Sequence, residues 1–139
     1  MRLGRCLCGA VCYELEGEPL VVAHCFCEDC QKVSGAGHTT GAMYPVERAR
    51  VIGVVAEFEL ETGESTVTRT FCPNCGSPLY GRNSRMPGVL TFTAGTLEHP
   101  DSLVPQVGIF TRSKRHWDAM GTEVHLFETQ PSWKPGDAV

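Results

Sequence analysis

The sequence has little charge, no basic excess and no long apolar run, and each shortage argues against a class of protein. Charged residues make up 20% of the 139 residues, and the formal net charge is −4. Broad binding to nucleic acid or to an anionic membrane requires a basic surface, so neither partner is expected. No stretch approaches the about 20 apolar residues of a membrane span. The N-terminus has no apolar signal core, so we expect a cytoplasmic protein.

Sustained helical periodicity is also missing, because no run keeps it for more than two turns. Short β-branched stretches between turn signals are typical instead of a mainly β protein. Strands are predicted at 10–16, 20–23, 38–44, 50–55, 57–61, 66–71, 78–80, 89–94, 107–110 and 124–127. Residues 28–33 are predicted to form one or two helical turns that end at Gly35, and residues 81–88 a polar loop. The length indicates a single zinc-binding domain at 1–130 and a loose tail at 131–139.

Cysteine is abundant, with eight residues in the chain. Under reducing conditions, closely spaced cysteines indicate metal sites rather than disulfides. Alternate residues of an extended segment point the same way, so Cys6 and Cys8 are expected to direct their sulfurs to one side. A turn from Cys72 to Cys75 brings two more sulfurs together. These two pairs predict one closed, structural four-thiolate zinc site. Buried thiols at Cys6 and Cys8, or iron in place of zinc, remain alternatives.

Three further cysteines lie within six residues: Cys25, Cys27 and Cys30. They predict a second zinc site, and with only three thiolates it keeps a position for water or substrate, as catalytic zinc sites do. A fourth ligand would close the site and make it structural. The candidates for that ligand are His24, His38, His116, His125 and Cys12. We interpret Cys12 as a buried packing residue.

An open, thiolate-rich zinc site favours an incoming thiol as its ligand. Metal binding lowers the pKa of a thiol, and the resulting thiolate can attack an electrophile such as an aldehyde carbonyl. The three cysteines would then serve catalysis as ligands of the open zinc. With three ligands, this site is expected to hold its ion less completely than the closed one, and its exposed thiolates can oxidise.

Three motifs in order carry a family resemblance: Cys-Leu-Cys-Gly-Ala-Val, Cys-x-Cys-x-x-Cys-x-x-x-Ser-Gly and Phe-Cys-x-x-Cys-Gly-Ser. Together they resemble the glutathione-dependent formaldehyde-activating enzyme family, also called the centromere protein V family, from Gly4 to about Phe127. The resemblance implies a β-tent fold of several small coiled antiparallel sheets held by zinc. It also implies the same two zinc sites. The implied activity is that of a carbon–sulfur lyase, which joins glutathione to formaldehyde as S-hydroxymethylglutathione.

The sequence departs from the family pattern beside the three clustered cysteines. Phe26 stands where the family commonly has histidine, and Gln31-Lys32 where it commonly has arginine. Neither change removes a metal ligand, but both bear on substrate choice. Glutathione carries two carboxylates, which cations or backbone amides would bind. The amides of Ser34 and Gly35 would either face the open site or cap the helix. The available cations are Lys32, Arg82, Arg85, Arg112, Lys114 and Arg115.

Three functions compete. The first is an enzyme whose partners are a small-molecule thiol and an aldehyde. The second is a zinc-stabilised binding module without catalysis. The third, methionine sulfoxide reduction, needs a free redox cysteine, and the metal assignments leave only Cys12 for that role. A homodimer is a further candidate assembly.

Overall fold

The computed structural model describes residues 1–119 and 124–137, and within them the predicted mainly β fold is confirmed. The one α-helix of this part, α1, spans Glu28–Ser34. The strands, numbered in chain order, are β1 (Arg2–Arg5), β2 (Cys12–Leu15), β3 (Val21–Cys25), β4 (Thr39–Pro45), β5 (Ala49–Ile52), β6 (Ala56–Glu61), β7 (Thr66–Phe71), β8 (Pro78–Asn83), β9 (Val89–Thr93), β10 (Val107–Ile109) and β11 (His125–Leu126). Short 3₁₀ turns connect several of them.

The strands form two hydrogen-bonded sheets. A three-stranded sheet has the order β1-β2-β5, and an eight-stranded sheet has the order β11-β10-β3-β4-β9-β8-β7-β6. The pairing is antiparallel, as expected, except that β10 runs parallel to β3 and to β11. A parallel neighbour requires a long connection, and here the chain from β3 passes through α1 and six other strands before it returns as β10.

Both faces of the large sheet are buried around β3 and β4. Val22 and Ala42 point into the main core, where the Tyr13 ring lies 4.6 Å from the Phe92 ring between centroids. The alternate residues point to the opposite face and join a smaller cluster, which contains Val21. A strand covered on both faces is continuously apolar rather than alternating, which explains the run from Leu20 to Ala23.

Three local features differ from the predictions or complete them. The segment predicted as a loop at 81–88 begins as strand, because β8 continues to Asn83 opposite β7. The N-terminal strand β1 was not predicted from the sequence. In the predicted tail, Trp133 packs against the smaller cluster. Residues 138 and 139 of that tail lie outside the described residues.

Candidate metal centres

The first cysteine cluster joins the turn after β1 to the turn between β7 and β8. The sulfurs of Cys6, Cys8, Cys72 and Cys75 lie within 4.8 Å of one another. The Sγ–Sγ distance is 3.6 Å between Cys6 and Cys8 and 3.8 Å between Cys8 and Cys72. A tetrahedron with zinc–sulfur bonds of about 2.3 Å has edges of about 3.8 Å. The donor set and its spacing therefore fit one zinc ion.

Two tight turns bring these sulfurs together, which corrects the expectation of an extended segment at Cys6–Cys8. The strand β1 ends at Arg5, and the Gly9 amide then donates to the Cys6 carbonyl at 3.1 Å. The Gly76 amide donates in the same way to the Cys72 carbonyl at 2.9 Å. Both glycines have positive φ, 81° and 76°, a backbone conformation that glycine adopts without strain.

Neutral donors surround the four-cysteine cluster. The Val11 amide donates to the Cys6 sulfur at 3.3 Å, and the Ser77 hydroxyl lies 3.2 Å from the Cys75 sulfur. The Ser77 hydroxyl and backbone amide lower the pKa of Cys75 to about 5. The same hydroxyl accepts from the Leu7 amide at 3.0 Å, so Ser77 links the two turns. These hydrogen bonds favour thiolates, the form that binds a metal.

The second cluster lies where β3 meets α1. Cys25 is the last residue of β3, Cys27 caps the N-terminus of α1, and Cys30 lies in the first turn of the helix. Their sulfurs lie within 4.8 Å of one another. The Cys30 amide donates to the Cys27 sulfur at 3.3 Å, so this sulfur takes the capping role that a serine or aspartate oxygen usually has. Three sulfurs on the ends of two regular elements can hold zinc.

Among residues 1–119 and 124–137, none of the candidate fourth ligands joins the three sulfurs. The His24 Nδ1 atom lies 2.8 Å from the Thr40 hydroxyl, and the His38 Nδ1 atom lies 2.7 Å from an Asp118 carboxylate oxygen. Burial, then the neighbouring His38, lowers the pKa of His24. Cys12 lies in neither cluster and is half-buried, whereas a buried packing residue was expected.

Arg69, which the sequence reasoning missed, extends from β7 to the three-cysteine cluster. Its Nη2 atom donates to the Cys30 sulfur at 3.7 Å. The Cys25 and Cys27 thiols lower the pKa of Cys30 most, and the Arg69 charge lowers it further. The available signal was a single cation in the middle of the β-branched stretch Thr66–Phe71, a position where a charge needs a partner.

The two departures from the family pattern serve packing and anchoring. Phe26 is fully buried, and its ring centroid lies 5.3 Å from that of His38. The Gln31 amide nitrogen donates to the Phe26 carbonyl at 2.7 Å and to the Ser113 carbonyl at 3.0 Å. The Gln31 side-chain oxygen accepts from the Arg115 Nε at 2.9 Å. Gln31 therefore fixes α1 to the segment around Ser113.

The helix cap, the second reading of Ser34 and Gly35, is the one observed. Gly35 has a φ of 67°, and its amide donates to the Gln31 carbonyl at 2.9 Å. Two of the predicted cations, Lys32 and Arg115, line a cavity of about 340 Å³ beside α1 together with Glu28 and Gln31. The other predicted cations lie elsewhere: Arg82 pairs with Glu57, Arg85 lies in the loop after β8, Arg112 covers the Phe110 ring, and Lys114 ends a 3₁₀ turn.

A mainly β chain that gathers seven cysteines into clusters of four and three is a candidate zinc protein. Comparison with protein families identifies it further: the model of the glutathione-dependent formaldehyde-activating enzyme matches residues 1–113, and the chain belongs to that family. The crystal structure of a Rhodobacter sphaeroides protein has a similar fold, with a TM-score of 0.59 and 22% sequence identity. That match covers 74% of this chain and 97% of the other.

No curated protein matches the sequence significantly. No helix in the described parts of the chain has the length and apolar character needed to cross a membrane.

Proposed function

We propose that this protein is a carbon–sulfur lyase-type enzyme that joins glutathione, or a similar thiol, to formaldehyde or another small aldehyde, and also breaks the adduct. The observation that carries the proposal is the cluster of Cys25, Cys27 and Cys30, which has three sulfurs and no fourth ligand among the described residues. Membership of the family supports the choice of thiol and aldehyde. The alternative, a zinc-stabilised binding module, would use the same cluster without catalysis.

The three sulfurs are fixed by the end of β3 and the first turn of α1, so the site is held by regular elements. A zinc ion held there would supply an open coordination position and lower the pKa of a thiol that binds to it. In the forward reaction, the sulfur forms a bond to the carbonyl carbon and the C=O π pair moves to oxygen. The proton of the thiol ends on that oxygen, so the reaction needs neither oxidant nor reductant.

The cavity beside α1 is our proposed site for a carboxylate of glutathione. It adjoins the helix that carries Cys27 and Cys30, and Lys32 and Arg115 line it. Gln31 accepts from the Nε of Arg115, and one Nη atom lies 3.8 Å from Glu28, so the guanidinium keeps further donors for an anion. A tripeptide bound at the three sulfurs would extend along α1 into this cavity.

The four-cysteine cluster would act on the fold rather than on the substrate. It joins the small sheet to the β7–β8 turn, and Cys6 and Cys72 are almost completely buried. Four sulfurs leave no position for a further ligand on a tetrahedral ion. We propose that the reaction takes place in the cytoplasm, where reducing conditions keep all eight cysteines out of disulfides.

The experiment is a magnetisation-exchange NMR measurement on zinc-loaded protein with ¹³C-formaldehyde and glutathione. General acid–base and positioning effects are commonly worth two or more powers of ten, so the native protein should speed exchange into the hydroxymethyl adduct by at least about tenfold. Cys27→Ser should return the rate to that without protein. Cys12→Ser is the matched control, because Cys12 lies outside both clusters, and it should retain the native rate.

The outcomes separate the two functions. Native protein that binds glutathione but leaves the exchange rate unchanged is a binding module, and the enzymatic proposal is then wrong. The proposal also fails if Cys27→Ser keeps the native rate while Cys12→Ser loses it, since the chemistry would then lie elsewhere.

A further inference from the structure

Arg69 approaches the three-cysteine cluster from the far end of the large sheet. It lies in β7, and in the sheet order three strands, β8, β9 and β4, separate β7 from β3. Strands in a flat sheet are about 4.8 Å apart, so β7 and β3 would lie about 19 Å apart. The Arg69 Nη2 atom is nevertheless 3.7 Å from the Cys30 sulfur. The Arg69 side chain and α1, which packs on β4, therefore meet over one face of the sheet.

The surface beneath this contact leaves room for the arginine side chain. Cross-strand pairing places Gly81 opposite Arg69, and Thr91 follows Gly81 in the next strand. A glycine opposite a long side chain leaves space that a larger residue would fill. The long Arg69 side chain can therefore extend over this face of the sheet and reach Cys30 in α1.

Arg69 is half-buried and makes no salt bridge within the described residues. A guanidinium has five N–H donors. Among the described residues, Arg69 makes one hydrogen bond to a side chain, the one to Cys30. Removing a cation from water is costly unless an anion compensates it. The sulfur cluster is such an anion, and a thiolate ligand bound there would be another.

The charge count gives this cation a role during ligand binding. Three thiolates and one divalent ion carry a net charge of −1, and an incoming thiolate makes it −2. We propose that Arg69 is a positioning residue that holds Cys30 and compensates the charge of a thiolate ligand, so that the site selects anionic sulfur. This inference rests on the proposed function and adds to it the group that accommodates the second negative charge.

The test uses protein loaded with Co²⁺, whose sulfur-to-metal absorption reports ligand exchange directly. Two thiols are titrated: glutathione, and 2-mercaptoethanol, which has no carboxylate. Arg69→Gln should weaken both by at least about tenfold, the size of one charge-assisted hydrogen bond. Arg69→Lys keeps the charge and should stay within about threefold of the native affinity. Arg82→Gln, on the neighbouring strand, is the matched surface control and should bind as the native protein does.

Three results would overturn the inference. In the first, Arg69→Gln binds both thiols with native affinity. In the second, Arg69→Gln loses affinity for glutathione alone, which would assign the arginine to a carboxylate rather than to sulfur. If the glutamine variant fails to retain the second metal ion, the lysine variant decides, and a loss above about tenfold in that variant contradicts a role for charge. Native protein that responds to neither thiol would instead contradict the proposed function itself.

Discussion

Single side chains give the two cysteine clusters different surroundings. The four-cysteine cluster receives hydrogen bonds from neutral groups, the Val11 amide and the Ser77 hydroxyl. The three-cysteine cluster receives a hydrogen bond from a cationic group, the guanidinium of Arg69. The charge of a closed four-thiolate site is constant, whereas an open site becomes more negative when a thiolate enters. The neighbours therefore match a structural role for one cluster and a ligand-binding role for the other.

Tyr13 provides a test of the core at the residue scale. The side chain is 1% exposed, and burial raises the pKa of Tyr13 to about 12, against about 10 in an unfolded chain. The unfolded state therefore loses its proton first. The contribution of Tyr13 is fully present below pH 10 and is lost as the pH rises to about 12. A pKa difference of about two corresponds to about 2.7 kcal/mol.

Urea unfolding of native protein and of Tyr13→Phe at pH 9 and near pH 12 measures this effect. The native protein should lose about 2 kcal/mol more than the variant between the two pH values, and the difference cancels the titration of other groups. An equal loss in both proteins would show that the Tyr13 hydroxyl is accessible to solvent, contrary to its position beside Thr96.

At the scale of elements, α1 depends on its ends. It has only seven residues, which is too short to be stable in isolation. The Cys27 sulfur caps its first turn, Glu28 and Asp29 favour its positive end, and Gly35 ends it in the left-handed conformation. Each cap also fixes a cysteine or the segment that follows it. The helix is therefore part of the candidate metal site rather than an independent unit.

Gly35→Ala should destabilise the protein by about 1 kcal/mol. A side chain at a φ of 67° is strained, although nothing lies within 4 Å of the added Cβ. Gly95 is the matched control, because it also has free space around its Cβ but no positive φ. Gly95→Ala should leave the stability unchanged or raise it slightly. Urea unfolding measures both, and equal effects of the two substitutions would contradict the assignment of Gly35 as a strained helix cap.

Local signals predicted most elements but not how they pair. The Gly35 stop and the β-branched stretch Thr66–Phe71 act within a few residues, and the sequence therefore indicates them well. The turn at Cys6–Gly9 replaces the extended segment expected for the two cysteines, which was wrong. The parallel pairing of β10 with β3 depends on residues more than 80 positions apart, which periodicity does not report.

At the scale of the whole molecule, the strand β7 connects the two cysteine clusters. Cys72 follows β7 directly, and β7 carries Arg69 to the other cluster. An ion that binds Cys72 would therefore also hold the end of β7 in place. The cysteine clusters could be predicted because metal chemistry restricts the combinations of thiols. Arg69 could not, since its contact to Cys30 spans 39 residues and depends on how α1 packs over the sheet.

The central claim is that one cluster closes around a structural ion and the other keeps a position for a thiol. Cadmium replaces zinc in thiolate sites, and ¹¹³Cd NMR of the loaded protein reports each ion separately. We expect two resonances per chain. Cys27→Ser should remove one of them, and Cys72→Ser should cost most of the stability, because structural zinc contributes about 10–16 kcal/mol against a total of about 5–15 kcal/mol.

Titration of glutathione into the native cadmium-loaded protein is the most direct measurement. We expect glutathione to shift only the resonance that Cys27→Ser removes and to leave the other in place. A shift of the resonance that survives in Cys27→Ser, or a single resonance that glutathione does not move, would contradict it.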